Sequence, residues 1–205
     1  MVRALLSLAL VLSLGCSPAP AEPAPPAAVQ ARAQTAVFAG GCFWSAEKAF
    51  EGAPGVLSAV SGFAGGRTAR PTYEQVVRGG TGHMEAVQVT WDPAVTSYRA
   101  LVDRFWRTID PTDPGGQFCD RGPSYRTAVF PDAGQRPAAE ASRAAAARVL
   151  GREIVTPVLA PARFWPAGAE HQDFARRHPA RYEAYRIGCR RTSRLRAVWG
   201  GAAIG

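Results

Sequence analysis

No stretch of the 205 residues is apolar for long enough to cross a bilayer as a mature helix, which excludes a polytopic membrane protein. No Gly-x-Gly-x-x-Gly or flavin signature follows any predicted strand, so no cofactor is expected. There is no Cys-x-x-Cys pair, and His83, His171 and His178 have no zinc-ligand spacing with any cysteine, so no metal site is expected either. Lysine is nearly absent, and the net charge of +8 is carried almost wholly by arginine. What remains is ordinary: 47% hydrophobic and 20% charged residues, enough for one well-filled core and unlike a disordered or collagenous chain.

The N-terminus bears one charge, Arg3, and then an apolar run from Ala4 to Leu14, the pattern of a signal peptide over residues 1–15. The run ends in Leu12-Ser13-Leu14-Gly15-Cys16, which resembles the lipobox of bacterial lipoproteins and makes Cys16 the expected lipidation site; Ser13 departs from that pattern. A plain secretory signal cut nearby is the alternative. Residues 16–34 are Pro/Ala-rich and nearly chargeless, as a semi-extended tether would be. The folded part is therefore expected over 35–205 on the periplasmic side of a bacterial cell envelope, held to the membrane by a lipid anchor. That location removes nucleic acid as the reason for the basic charge. Nine of the arginines fall between Arg163 and Arg196 against Glu170, Asp173 and Glu183. This stretch reads as a solvated face leading into a basic tail from about residue 180, or as a contact for anionic lipid or an acidic partner.

With Cys16 assigned to the anchor, Cys42, Cys119 and Cys189 remain, an odd number that outside the cytosol points to a reactive thiol. Thr35–Ala39 reads as a strand broken by Gly40-Gly41, with a helix beginning at Cys42. Val56–Phe63 and Met84–Trp91 are further strands, the second placing Glu85, Val87, Val89 and Trp91 on one face. Between Thr96 and Ile109 apolar residues recur at helical spacing. Ile109–Ser124 reads as loop, Tyr125–Phe130 as a strand, Ala133–Leu150 as an Ala-rich helix and Ile154–Leu159 as another strand. The expectation is an α+β fold: a single two-layer, monomeric domain with a central mixed β-sheet flanked by helices and an irregular C-terminal tail.

A thiol in the first turn of a helix meets free backbone N–H groups and a partial positive charge, which favour the thiolate. Phe43 and Trp44 beside it can form an apolar cup, though two large aromatics are as readily core residues. Cys42-Phe-Trp-Ser45 also reads as the Cys-x-x-Ser of a monothiol thioredoxin-like exchange protein, which would need a cis-proline loop facing the cysteine. A non-enzymatic surface lipoprotein with an unreactive Cys42 is a further alternative.

Taken in order, Gly40-Gly41-Cys42-Phe43-Trp44 with Glu47, Gly62-Phe63-Ala64-Gly65-Gly66, Pro71-Thr72-Tyr73, Thr81-Gly82-His83-Met84-Glu85, Asp110-Pro111-Thr112, Asp120-x-Gly122 and Tyr125-Arg126 resemble peptide methionine sulfoxide reductase A. The resemblance spans roughly Val37 to Pro179. It implies an oxidoreductase that converts methionine-S-sulfoxide, free or in oxidised proteins and peptides, to methionine through a cysteine sulfenic acid and then a disulfide, as envelope protein repair. It implies Cys42 as nucleophile, Glu85 as the acid that protonates the sulfoxide oxygen, Tyr73 and Tyr125 as hydroxyl donors to that oxygen, and Asp120 as an orienting carboxylate. Phe43 and Trp44 would hold the substrate's methyl group. Ser45 stands where many relatives carry a second cysteine, so recycling is expected through Cys189, with Cys119 as the alternative, and electrons from a thioredoxin-like envelope reductant.

Overall fold

The computed structural model describes residues 26–205; Cys16, the signal segment and most of the expected tether lie outside them. Its frame is a five-stranded sheet built from β1 (Gln34–Gly40), β2 (Val56–Ala64), β3 (Met84–Trp91), β6 (Thr127–Val129) and β7 (Trp165–Pro166), in the order β6-β1-β3-β2-β7. Every ladder is antiparallel, with Phe38 opposite Val87 and Phe63 opposite Glu85. The parallel contribution is a bridge between Val129 and Val158. A two-stranded ribbon, β4 (Gly116–Gln117) with β5 (Asp120–Arg121), stands apart from the sheet.

Period-two alternation divides the sheet into two unequal faces. One carries Phe38, Val87, Val89 and Trp91 and receives the helices α2 (Phe43–Phe50), α4 (Tyr98–Trp106), α5 (Arg136–Leu150) and α8 (Arg191–Trp199). At its centre Phe38 stacks on Phe50 and Phe105, with ring centroids 5.2 and 5.1 Å apart. The other face is paved with small residues, Ala39, Ala64, Ala86 and Ala128, over which Leu159, Ala162 and Phe164 pack. Small side chains suit that face because the segment leading into the edge strand β7 lies close against it: a Cβ on Gly62 would come 2.3 Å from the carbonyl oxygen of Trp165 and 2.4 Å from the Phe164 ring.

Several expectations change. The stretch Ile109–Ser124, expected as loop, holds the β4–β5 ribbon. The tether is helical at its end: α1 (Ala27–Arg32) precedes β1, and Arg32 pairs with Asp92 at 2.7 Å. Ile154–Leu159 forms no strand beyond the Val158 bridge, since Pro157 lacks the N–H a ladder needs and Pro161 follows closely. The tail is not irregular either, for α6 (Phe174–Arg177), α7 (Pro179–Gly188) and α8 follow one another. Arg191, Leu195 and Trp199 recur every four residues and bury one side of α8. Trp199 donates to the carbonyl of Ile109 (2.8 Å), Arg191 to that of Thr108 (2.5 Å), and Arg194 reaches Asp110 (2.6 Å). Part of the arginine-rich region is thus structural.

Candidate active site

The chain turns sharply between β1 and α2, and the turn fixes the central thiol. Gly41 has a φ of 78°, and a Cβ there would meet the Gln117 side chain at 2.6 Å. Cys42 then caps α2, its carbonyl accepting from the backbone N–H groups of Ser45 and Ala46. The next N–H, of Phe43, donates to Glu85 Oε2 at 2.9 Å. Glu85 is 1% exposed and points inward as the strand alternation requires, on the same face as Val87 and Val89. Burial raises its pKa to about 8; the Phe43 N–H opposes the shift and Asp120 adds to it. A carboxyl so placed holds its proton at neutral pH.

The expected thiolate is not what this geometry favours. Cys42 is buried, and desolvation, reinforced by Glu85 and Asp120, pushes its thiol pKa well up; a hydrogen bond with Tyr185 and the Trp44 N–H oppose this without prevailing. The helix terminus is outweighed because its partial charge acts on a sulfur buried from solvent beside two acidic neighbours.

Tyr73 opens α3 (Tyr73–Arg78), placed by a capping box between Thr72 and Gln75. Its hydroxyl pairs with that of Tyr125, which stands in a short 3₁₀ turn (Pro123–Tyr125) ahead of β6 and not within a strand as expected. Burial raises the pKa of both phenols, and both lie within electrostatic reach of Cys42, Glu85 and Asp120. Asp120, in β5, accepts from the Tyr185 hydroxyl at 2.5 Å. Cys42, Glu85, Tyr73, Tyr125 and Asp120 are thus gathered from five separate segments around one point.

The aromatic cup is larger than the sequence suggests. Phe43 and Trp44 are joined by Tyr73, His171 and Phe174: His171 lies 4.4 Å from the Tyr73 ring and 5.1 Å from Phe43, while Trp44 stacks on Phe174 at 3.6 Å. Gln172 holds this segment down by bonding both the N–H and the carbonyl of Ser61, each at 2.9 Å. Burial lowers the His171 pKa, so the imidazole stays neutral and the cup uncharged. In the sequence His171 figures only as a histidine without zinc-ligand spacing, and Tyr185 is not a candidate at all. The spacing of Tyr182, Tyr185 and Cys189 along α7 was the available signal for the latter.

The two candidate resolving cysteines are joined to each other. Cys119 and Cys189 form a disulfide with Cα atoms 4.9 Å apart, leaving Cys42 the free thiol among the described residues. The sulfur atoms of the pair and an Asp120 carboxylate oxygen lie within 4.8 Å of one another, so Asp120 stands between the disulfide and the Cys42 pocket. The Cys-x-x-Ser exchange reading loses its basis: all peptide bonds among the described residues are trans, and Cys42 faces Glu85 and Tyr185 where that reading needs a cis-proline.

Compared with known families, residues 34–202 match the one described as peptide methionine sulfoxide reductase. The chain belongs to that family. A Caulobacter vibrioides relative named peptide methionine sulfoxide reductase MsrA 2 is 48% identical, over 98% of this chain and 100% of its own length. A Bacillus licheniformis relative named peptide methionine sulfoxide reductase MsrA is also 48% identical, covering 82% of this chain and 94% of its own. Among solved structures, methionine sulfoxide reductase A of Corynebacterium diphtheriae superposes with a TM-score of 0.64 at 30% identity, over 72% of this chain and 76% of its own. Members of the family are oxidoreductases acting on methionine sulfoxide, and the α+β fold is the family's.

Proposed function

We propose that the chain reduces methionine-S-sulfoxide, in oxidised proteins and peptides or free, with Cys42 as nucleophile and Glu85 as general acid. The observation that carries this reading is the single turn at the start of α2, which sets the Cys42 thiol beside a buried carboxyl with a pKa of about 8 and under an uncharged aromatic cup. A sulfoxide is a poor electrophile until its oxygen is protonated or hydrogen-bonded. Glu85 supplies the proton, Tyr73 and Tyr125 the hydrogen bonds, and Phe43, Trp44 and His171 a place for the methyl group; Asp120 orients the site through Tyr185. The raised thiol pKa fits the stoichiometry. Cys42-SH and the sulfoxide together become a sulfenic acid and methionine, with no net proton taken up.

Recycling follows from the positions of the other two thiols. Reduced Cys189 attacks the Cys42 sulfenic acid, releasing water and forming a Cys42–Cys189 disulfide. Cys119 then attacks Cys189, frees Cys42 and leaves the Cys119–Cys189 bond, which a thioredoxin-like dithiol reduces. Anchoring through Cys16 on the periplasmic side is part of the same reading, supported by the apolar run and the lipobox-like segment; no helix among the described residues is long and apolar enough to cross a membrane. Labelling with a fatty-acid probe is expected for the wild type and not for Cys16→Ala; equal labelling of both would remove the anchor.

The deciding experiment offers a peptide carrying methionine-S-sulfoxide or its R epimer with dithiothreitol as reductant. Turnover of one epimer alone is expected, because a cup fixing the methyl group and an acid fixing the oxygen leave one face of the sulfur to Cys42, and the family resemblance makes it the S epimer. Turnover of both epimers alike, or of neither, would refute the reading.

A further inference from the structure

The surface around the Cys119–Cys189 disulfide has a character the catalytic pocket does not share. Cys119 is exposed in the turn between β4 and β5, while Cys189 is half-buried at the end of α7. A cleft of about 450 Å³ runs alongside, lined by Phe118, Cys189, Arg190, Ser193, Arg194 and Ala197. Its two acids are already engaged, Asp110 by Arg194 at 2.6 Å and Asp113 by Arg121 at 2.5 Å. Ile187, 63% exposed, stands next to the disulfide-bearing end of α7 and shares a second groove with Arg190 and Arg196. An exposed disulfide is therefore framed by an apolar knob and a surplus of arginine.

We propose that this face is the docking surface for a dithiol protein whose reactive thiol is bordered by apolar and acidic residues, with Ile187 as the apolar anchor and Arg190 and Arg196 as the charged rim. The inference rests on the recycling order proposed above and says where its last step takes place. The donor's thiolate attacks Cys119 Sγ, the more accessible residue of the pair. The S–S bond breaks and its electron pair leaves on Cys189, which sits between the C-terminus of α7 and the N-terminus of α8, next to Arg190. That thiolate takes a proton from solvent. The donor's second thiol, on losing its proton, attacks the mixed disulfide and releases Cys119. Two electrons enter the chain, and the donor leaves as a disulfide. Apolar contact at Ile187 governs how long the donor stays, and the arginine rim governs how fast it arrives.

The test compares the full-length chain with Ile187→Asp and Arg190→Glu, driven either by a bacterial thioredoxin with its reductase and NADPH or by dithiothreitol. Each variant is expected to raise the KM for thioredoxin by about tenfold while dithiothreitol-driven turnover stays at the wild-type level. Raising the salt concentration should weaken the wild type's use of thioredoxin and affect Arg190→Glu much less. Unchanged thioredoxin kinetics would overturn the assignment, and so would lost binding to phosphatidylglycerol vesicles without any change in those kinetics, which marks a lipid contact instead. Equal loss with both reductants would also overturn it, by placing these residues in the catalytic cycle. Failure of the recycling order itself shows separately, as the absence of a Cys119–Cys189 disulfide after one equivalent of substrate.

Discussion

Glu85→Gln is expected to lower turnover of a methionine-S-sulfoxide peptide by about 10²- to 10⁴-fold, the usual contribution of a positioned general acid. Glutamine matches the shape and keeps an oxygen to accept from the Phe43 N–H, so the start of α2 survives while the transferable proton is lost. The loss should fall on kcat and leave KM little changed. In the wild type the rate should decline as pH rises through about 8, where the carboxyl ionises. The residual rate of the variant should lack that limb.

The same substitution should act on stability with the opposite sign. Folding raises the Glu85 carboxyl pKa from 4.5 to about 8, so its contribution to stability is complete below pH 4.5, fades as pH rises, and is gone above about 8. Glutamine carries no such dependence. The melting temperature of the variant relative to the wild type should therefore climb between pH 5 and pH 9. Glu47, also raised, to about 7, is present in both proteins and cancels from the comparison. An inactive variant that outlasts the wild type at alkaline pH would mark Glu85 as a residue kept for chemistry at a cost to the fold. Near-wild-type turnover would remove it as the acid, and parallel melting curves would remove the raised pKa.

What the sequence reveals and conceals follows from the range of the interactions involved. Glu85 is legible because strand alternation is local: it shares a period with Val87, Val89 and Trp91, so the residue pattern alone implies an inward carboxyl. The Gly40-Gly41 break likewise announces the turn that presents Cys42. His171 and Tyr185 are not legible in this way. His171 reaches Phe43 only because Gln172 clamps its segment to Ser61, 111 residues away, and Tyr185 reaches Asp120 across 65 residues. The thiol pKa fails for a related reason: a helix terminus can be read from sequence, whereas the burial that outweighs it is a property of the assembled core. The buried side of α8 did have a local signal, Arg191, Leu195 and Trp199 at four-residue steps, which the surrounding arginines obscured.

The cysteine variants separate chemistry from recycling, and Cys42→Ser should have the largest effect of all. With serine at position 42 there is no sulfur to take the oxygen, so turnover should vanish with dithiothreitol and with thioredoxin alike. Cys189→Ser should behave otherwise. Cys42 still meets substrate, so one equivalent of methionine should form in a single burst without reductant, as in the wild type's first step, and a small thiol should then reduce the sulfenic acid directly. Thioredoxin-driven turnover should collapse, because the exposed disulfide at Cys119 that a protein donor can reach never forms. Cys119→Ser discriminates the order of the relay: if Cys189 attacks first, this variant accumulates a Cys42–Cys189 disulfide that mass spectrometry detects after one equivalent of substrate. Accumulation of a sulfenic acid in Cys119→Ser, with a Cys42–Cys119 disulfide in Cys189→Ser, would reverse the two roles. It would make Cys119, seated beside Asp120 at the pocket, the thiol that meets Cys42, and Cys189 the one that passes the oxidation on to α8's arginine-rich face.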